Sequence, residues 1–390
     1  MNAQESQLDY PFGDTLPPPG TTLEVAPGVR WLRMKLPFAL DHINLWLLRD
    51  ALSGDDGPVE GWTIVDCGIT NDETRASWER IFASPELEGL PIVRVIVTHM
   101  HPDHMGLAHW LTERWNARLW ISATDYNAAR LASSSTITFG GRATADFMAR
   151  HGLVDAESHA RIAARTNYYS SMVPEVPSAY RRLLDGQTVQ AGPGNARAAW
   201  TCQAGYGHAP EHMSLFRAGS VPGLAAGTTT ASSHVEAASR PVVGVSASQP
   251  VLISGDMVLP RISTNVSVVD IEPEANPLLL YLDSLKRMRE TLPADTLVLP
   301  SHGRPFRGLH TRIDQLVAHH DERFAEVMAA CAEAPQSAAD LLPVLFKRKL
   351  DLHQTTFAMG EAIAHLHLLW HRGELRREAG SDGVLRFAPA

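Results

Sequence analysis

The feature that most constrains this chain is a short segment in which four side chains can bind a metal: Thr98-His99-Met100-His101-Pro102-Asp103-His104. It follows an apolar run over residues 92–97 that reads as a buried strand. In extended backbone alternate side chains leave the same face, so His99 and His101 project together. Pro102 then turns the chain toward a helix beginning near Met105, with Asp103 and His104 at the turn. The plain alternative is an aspartate N-cap beside surface histidines. So dense a set of imidazole and carboxylate groups after an apolar strand points instead to a site that surrounds a metal pair.

Further donors stand at other strand ends. His208 lies in Gly205-Tyr206-Gly207-His208, Asp256 in Ser254-Gly255-Asp256 and His302 in Pro300-Ser301-His302-Gly303. Each has a glycine beside it, which lets the backbone turn sharply and aim a side chain at a shared centre. Singly these dipeptides are common; in this order after HxHxDH they form one pattern.

That pattern, HxHxDH…H…D…H, resembles the metallo-β-lactamase fold superfamily over roughly residues 25–307. The resemblance implies an α/β protein built as a four-layer αββα sandwich. It implies one metal on His99, His101 and His208, a second on Asp103, His104 and His302, and Asp256 bridging the two. Asp66, in Val65-Asp66-Cys67-Gly68, matches the family's early strand-end aspartate and is expected to support the ligands from behind. Two divalent ions are implied, zinc by preference for imidazole with carboxylate, with iron or manganese also accommodated. A metal-bridging hydroxide, oriented by Asp103, would then be the nucleophile.

The order of elements fits such a sandwich. After a loose N-terminal segment, residues 1–24, strands are expected at 29–35, 43–48 and 62–65, with a turn-rich stretch over 50–61. A helix over about 71–82, the strand at 92–97, a helix over 105–115 and a strand at 118–121 follow. The catalytic domain is read as residues 25–308, with a mostly helical insertion at 124–185 and a flexible loop at 218–249 between two strands of a hairpin. Strands at 250–253 and 297–299 flank a helix over 276–292. Residues 309–390 read as a small helical domain ending in a short hairpin, similar to the winged-helix-like extension of one branch of the superfamily, the β-lactamase-like proteins.

Histidine is the compositional outlier, at 18 residues, yet most lie outside the pattern. His212 reads as a packing residue near a strand start. His365, His367 and His371 include an i, i+4 pair, but no HExxH glutamate accompanies them, so a core or solvated face is expected. His319, His320, Asp321 and Glu322 read as a solvated helix face. Cys67 reads as a small buried residue. The inserted aromatic group Phe139, Phe147, Tyr168, Tyr169 and Met172 is the candidate substrate wall, against plain packing of the insertion or of a second subunit.

A net charge of −9, and nine basic against eleven acidic residues over 309–390, argue against a nucleic-acid partner. A small molecule is the expected partner, and the helical domain is read as packing or dimerisation. With no signal peptide, no membrane-spanning run and three scattered cysteines, a cytoplasmic protein is expected. The expected activity is hydrolysis of a small acyl substrate: a thioester, lactone or other ester. The rival activities are a single-stranded RNA endoribonuclease, a persulfide dioxygenase and a β-lactamase.

Overall fold

The computed structural model describes residues 4–54, 57–134, 140–193, 197–219 and 249–390. Among them, one sheet holds β1 (Leu23–Ala26), β2 (Val29–Lys35), β3 (His42–Gly54), β4 (Gly57–Val65), β5 (Ile92–Ile96), β6 (Arg118–Ile121) and β7 (Tyr180–Arg182), side by side in chain order. The pairs from β1 to β4 are antiparallel and those from β4 to β7 parallel. Parallel neighbours need a crossover. Helix α1 (Asp72–Phe82) supplies the first, starting at an Asn71 cap whose side chain accepts the Thr74 amide.

Among the described residues, helices follow the strand that leads into the metal-ligand segment, four of them beginning between residues 123 and 168. The turn itself is α2 (Pro102–Met105), followed by α3 (Ala108–Trp115), α4 (Ala123–Ser134), α5 (Gly141–Arg150), α6 (Ala156–Ala163) and α7 (Tyr168–Met172). A second sheet then forms from β8 (Thr188–Ala191), β9 (Ala198–Gly205), β10 (His212–Arg217), β11 (Val251–Gly255) and β12 (Leu297–Pro300), in the spatial order β12-β11-β10-β9-β8. β10 and β11 are the antiparallel pair expected on either side of the loop at 218–249. Residues 220–248 of that loop lie outside the described residues.

Alternation along the strands assigns the layers. Trp31, Trp46, Val65 and Ile96 of the first sheet share a core with Trp200, Met213, Ile253 and Leu299 of the second. The alternate residues Leu45, Ile64, Val95 and Val97 pack instead with Trp78 and Ile81 of α1 and Leu111 of α3. On the far side, Leu252 and Val298 join Tyr281 and Leu285 of α8 (Pro277–Thr291). That last core continues into α9 (Leu309–Glu333), α10 (Ala338–Leu345), α11 (Leu352–His371) and Phe387 of the closing hairpin, β13 (Leu375–Ala379) and β14 (Leu385–Pro389). Four layers result, helix–sheet–sheet–helix. From Ala358 to Leu369 α11 is buried on almost every side, which is why its sequence is apolar all round rather than along one stripe.

Two expectations fail. Residues 50–61 are not a turn-rich connection but a long hairpin, with Asp50 opposite Gly61 and Gly54 opposite Gly57. The buried Asp50 carboxylate is satisfied inside the sheet by Thr63 Oγ1 at 2.6 Å and by Arg94 at 3.1 Å. Tertiary pairing thus overrides the poor strand propensity of Asp and Gly. His320 is 1% exposed rather than solvated, because it lies on the α9 face turned toward α11. Asp321 and Glu322 are exposed as expected.

Candidate metal centre

The ligand candidates come from four strand ends, those of β5, β9, β11 and β12. His99 Nε2 lies 3.0 Å from His101 Nδ1 and 3.2 Å from His208 Nε2. The Asp256 carboxylate reaches both ways, with Oδ2 3.4 Å from His208 Nε2 and Oδ1 3.5 Å from His302 Nε2 and 3.6 Å from His104 Nε2. Asp103 Oδ2 stands 3.4 Å from His302 Nε2 and 3.8 Å from His104 Nε2. Donor atoms bound tetrahedrally at about 2.0–2.1 Å from a zinc ion are separated by about 3.3 Å. The groups His99/His101/His208 and Asp103/His104/His302 therefore each have the spacing of one metal position. The set His99/His104/Asp256 joins them.

Hydrogen bonds behind the rings decide which way the lone pairs face. His208 Nδ1 donates to the Asn265 carbonyl at 2.7 Å and His302 Nδ1 to the His42 carbonyl at 2.8 Å. His104 Nδ1 donates to Asp66 Oδ2 at 2.8 Å. Thr98 Oγ1 gives its proton to Asp66 and so accepts from His99 Nδ1 at 3.0 Å. In the neutral ring each of these four histidines is left with a bare Nε2 aimed inward. His104 Nε2 and Asp256 Oδ1 are buried with no hydrogen-bond partner. Such atoms are costly to bury unless a cation satisfies them. The donor set fits a pair of divalent ions.

Charge is distributed unevenly across the cluster. Burial, then the His208 imidazole, pulls His101 down to about 3. Burial and the surrounding imidazoles hold His99 well below its ordinary value. Burial acts the same way on His302, but Asp256 and Asp103 outweigh it and raise the ring to about 10. His104 is likewise held well above its ordinary value, with Asp66, Asp103 and Asp256 overcoming burial. The half of the cluster that holds Asp103 and Asp256 demands positive charge.

Asp66 stands behind His104, its carboxylate hydrogen-bonded to the ring. Its backbone is left-handed, at φ 65°, and its carboxylate also accepts the Thr98 amide at 2.8 Å. His212, expected to be structural, is buried, and its Nε2 is already occupied by the Asp256 amide at 3.1 Å. Gly255 must lack a side chain, since a Cβ there would fall 2.1 Å from His212 Nε2. The Cys67 thiol is fully buried and raised well above its ordinary value by burial and then by Asp66, which suits a packing residue.

The candidate substrate wall divides. Phe139 lies outside the described residues. Phe147 is 7% exposed, belongs to the core that continues into the C-terminal helices, and has its ring 4.7 Å from His151. Tyr169 is buried, and its hydroxyl donates to the Met100 carbonyl, bracing the ligand turn. Met172 is half-buried, and its carbonyl accepts the Thr70 amide. Tyr168 is half-buried and near enough to Asp103 for that charge to help burial raise its hydroxyl to about 12.

Four supporting residues escaped the sequence reading. Asp125 accepts the amides of Met100 at 2.8 Å and Glu211 at 2.7 Å, so it ties the ligand turn to the His208 loop, and burial pushes it up to about 6. Its only advance signal was the Ser122–Asp125 spacing, a helix-start pattern in which Ser122 Oγ accepts the Asp125 amide. Asn44 donates to the Pro300 and Gly303 carbonyls, holding the His302 loop against β3. His42 Nε2 accepts the Gly303 amide, and Asn265 fixes His208. Nothing local in the sequence marks these three.

Comparison with known proteins identifies the family of the fold. The family model for the metallo-beta-lactamase superfamily matches residues 41–162, and that for the metallo-beta-lactamase-like C-terminal domain matches residues 324–390. A solved beta-lactamase domain protein from Burkholderia ambifaria is 53% identical, covers 100% of both chains and superposes with a TM-score of 0.85. The metallo-beta-lactamase family protein TTHA1429 from Thermus thermophilus is 23% identical over 94% of this chain and 100% of its own, with a TM-score of 0.67, and shares the fold. The probable metallo-hydrolase YqjP of Bacillus subtilis (strain 168) is 22% identical over 348 residues, 87% of this chain and 91% of that protein. On its cluster, its layers and these relatives together, the chain belongs to the metallo-beta-lactamase superfamily.

Proposed function

We propose that this metallo-hydrolase of the metallo-beta-lactamase superfamily holds two divalent metal ions and hydrolyses a small acyl substrate, a thioester, lactone or other ester. One position draws on His99, His101 and His208, the other on Asp103, His104 and His302, with Asp256 shared. The observation that carries this reading is the set of inward Nε2 lone pairs, fixed from behind by Asp66, Thr98, Asn265 and His42 and converging on two carboxylates. Imidazole with carboxylate favours zinc over iron or manganese. A metal pair supplies water of lowered pKa and polarises the carbonyl under attack.

The chain's own residues do the rest. Asp103 is 18% exposed where His104 is fully buried, so its carboxylate stands at the rim and can accept a proton from an incoming water. Asp66, Asn265 and His42 keep the rings from rotating, and Asp125 keeps the two ligand loops in register. No serine or cysteine nucleophile is needed, and the buried Cys67 thiol stays protonated. The partner is a small molecule, since a net charge of −9 disfavours a phosphate backbone. Three buried free cysteines accord with a reducing cytoplasm, and no helix among the described residues is long and apolar enough to cross a membrane.

The test is metal analysis of the purified protein, followed by thioester, lactone, phosphodiester, single-stranded RNA and β-lactam substrates with and without chelator. Two metals per chain and chelator-sensitive cleavage of an acyl substrate are expected. One metal per chain would end the two-metal reading, and cleavage of RNA alone would replace the acyl one.

A further inference from the structure

Three of the segments that helix α11 touches also position part of the metal cluster. At its middle, Gly360 packs so closely on Ser267 that a Cβ would fall 2.6 Å from the serine side chain, and its carbonyl accepts the Val268 amide. The next residue, Glu361, accepts from the Asn265 side chain at 3.4 Å, and Asn265 is the residue that fixes His208. About two turns earlier, the His353 ring lies 6.1 Å from Phe38 at an interplanar angle of 18°, and 5.6 Å from Tyr168. Phe38 precedes His42, which holds both His302 and Gly303. Tyr168 adjoins Tyr169, which braces the Met100 carbonyl, and lies near Asp103.

The helix thus rests on segments that lead to the His302 side, to the ligand turn and to the His208 side. Phe38, Tyr168, His353 and Phe357 are each only half-buried, so their rings keep surface beyond what they give one another. Phe357 closes one end of the row, 5.0 Å from His353. The Arg165 guanidinium lies 5.6 Å from the Tyr168 ring centre. Stacked and tilted rings with a guanidinium beside them favour a flat π-surface over a small aliphatic group.

We propose that α11 roofs the substrate site and that Phe38, Tyr168 and His353 select an acyl group bearing an aromatic ring. The C-terminal helices thereby set specificity for a reaction whose metal ligands all lie before residue 303. This inference rests on the hydrolytic reading of the metal centre for its reaction, but not for its binding test.

That test is calorimetric titration of the metal-loaded protein with phenylacetate and with acetate, the acid products of an aromatic and a minimal acyl substrate. Phenylacetate is expected to bind at least about tenfold more tightly than acetate. In Tyr168→Ala and in His353→Ala the gap should narrow to below about threefold, with metal content as in the wild type. Equal binding of the two acids by the wild type, no measurable binding of phenylacetate, or an unchanged gap in both variants each overturns the proposal. The wild-type comparison decides even if a variant fails to fold. Assaying phenylacetyl and acetyl thioesters in parallel separates the two readings. Turnover of neither sinks the acyl-hydrolase reading and leaves the calorimetric preference standing. Equal binding with equal turnover sinks the roof and leaves the hydrolase.

Discussion

Among the described residues there are two groups of buried histidines, and only one of them gathers carboxylates at the spacing of a metal site. In the C-terminal helices His320, His365 and His367, with His151 from the insertion, are as hidden as His99 and His104, none being more than 2% exposed. Their partners differ. His365 Nδ1 donates to the Glu361 carbonyl, leaving its Nε2 to accept from His320 Nδ1, and His367 Nδ1 donates to the Ala275 carbonyl. Backbone carbonyls and imidazoles take both nitrogens of His365 and one each of His320 and His367, while His320 Nε2, His367 Nε2 and His151 Nδ1 stay buried without a hydrogen-bond partner. In the metal centre Asp103 and Asp256 stand among the rings and require positive charge. Histidine density and burial are common to both groups; carboxylates facing converged lone pairs are not.

The largest expected effect breaks that difference directly. Asp256→Ala removes the carboxylate shared by both positions, and kcat/KM should fall by about 10³-fold or more with loss of at least one metal ion. His367→Leu should leave metal content unchanged. Metal analysis alongside kinetics checks both, and metal loss in His367→Leu would erase the distinction. A smaller effect is expected one layer out, where Asp66→Asn keeps the shape but removes the charge that holds His104 and Thr98. Metal affinity should drop by about 10–100-fold, read by competition against a chromogenic chelator.

The smallest effect sharpens the other side of the comparison. Burial, followed by neighbouring positive groups, pulls His151 and His320 down to about 3, and burial brings His365 and His367 to about 4. Below their unfolded value near 6.5 the unfolded chain binds protons that the folded chain refuses. Their contribution is therefore whole above about pH 6.5 and is lost as pH falls toward 4, by at most about 1.4 kcal/mol per pH unit for each ring. Urea midpoints of metal-free protein between pH 7 and 4.5 should show a shallower acid slope in His365→Leu than in the wild type. Identical slopes would mean that His365 is already protonated in the fold.

What the sequence made legible follows from the same contrast. The seven ligand candidates could be read because their chemistry is carried by residue type and placed by strand ends, and the structure brings all seven together. Asp66 was readable for the same reason. Asn44, His42 and Asn265 were not, since their tasks consist of contacts with residues 57 or more positions away in the chain. The burial of His320 is hidden because an amphipathic helix shows that one face is buried but not where its edge falls. The hairpin over 50–61 was missed because Asp50 depends on Arg94, a partner invisible to local propensity.

The pairing of β10 with β11 sets Arg217 opposite Val251, so the chain leaves the second sheet and returns to it on the same rung. Register there is fixed by the two strands alone, whatever length of chain is spliced between them. Closure entropy grows only logarithmically, about 0.6 kcal/mol for each doubling of the excursion. This crossing is therefore a seam at which the polypeptide can be lengthened, trimmed or reopened as new termini while the strand carrying Asp256 keeps its place.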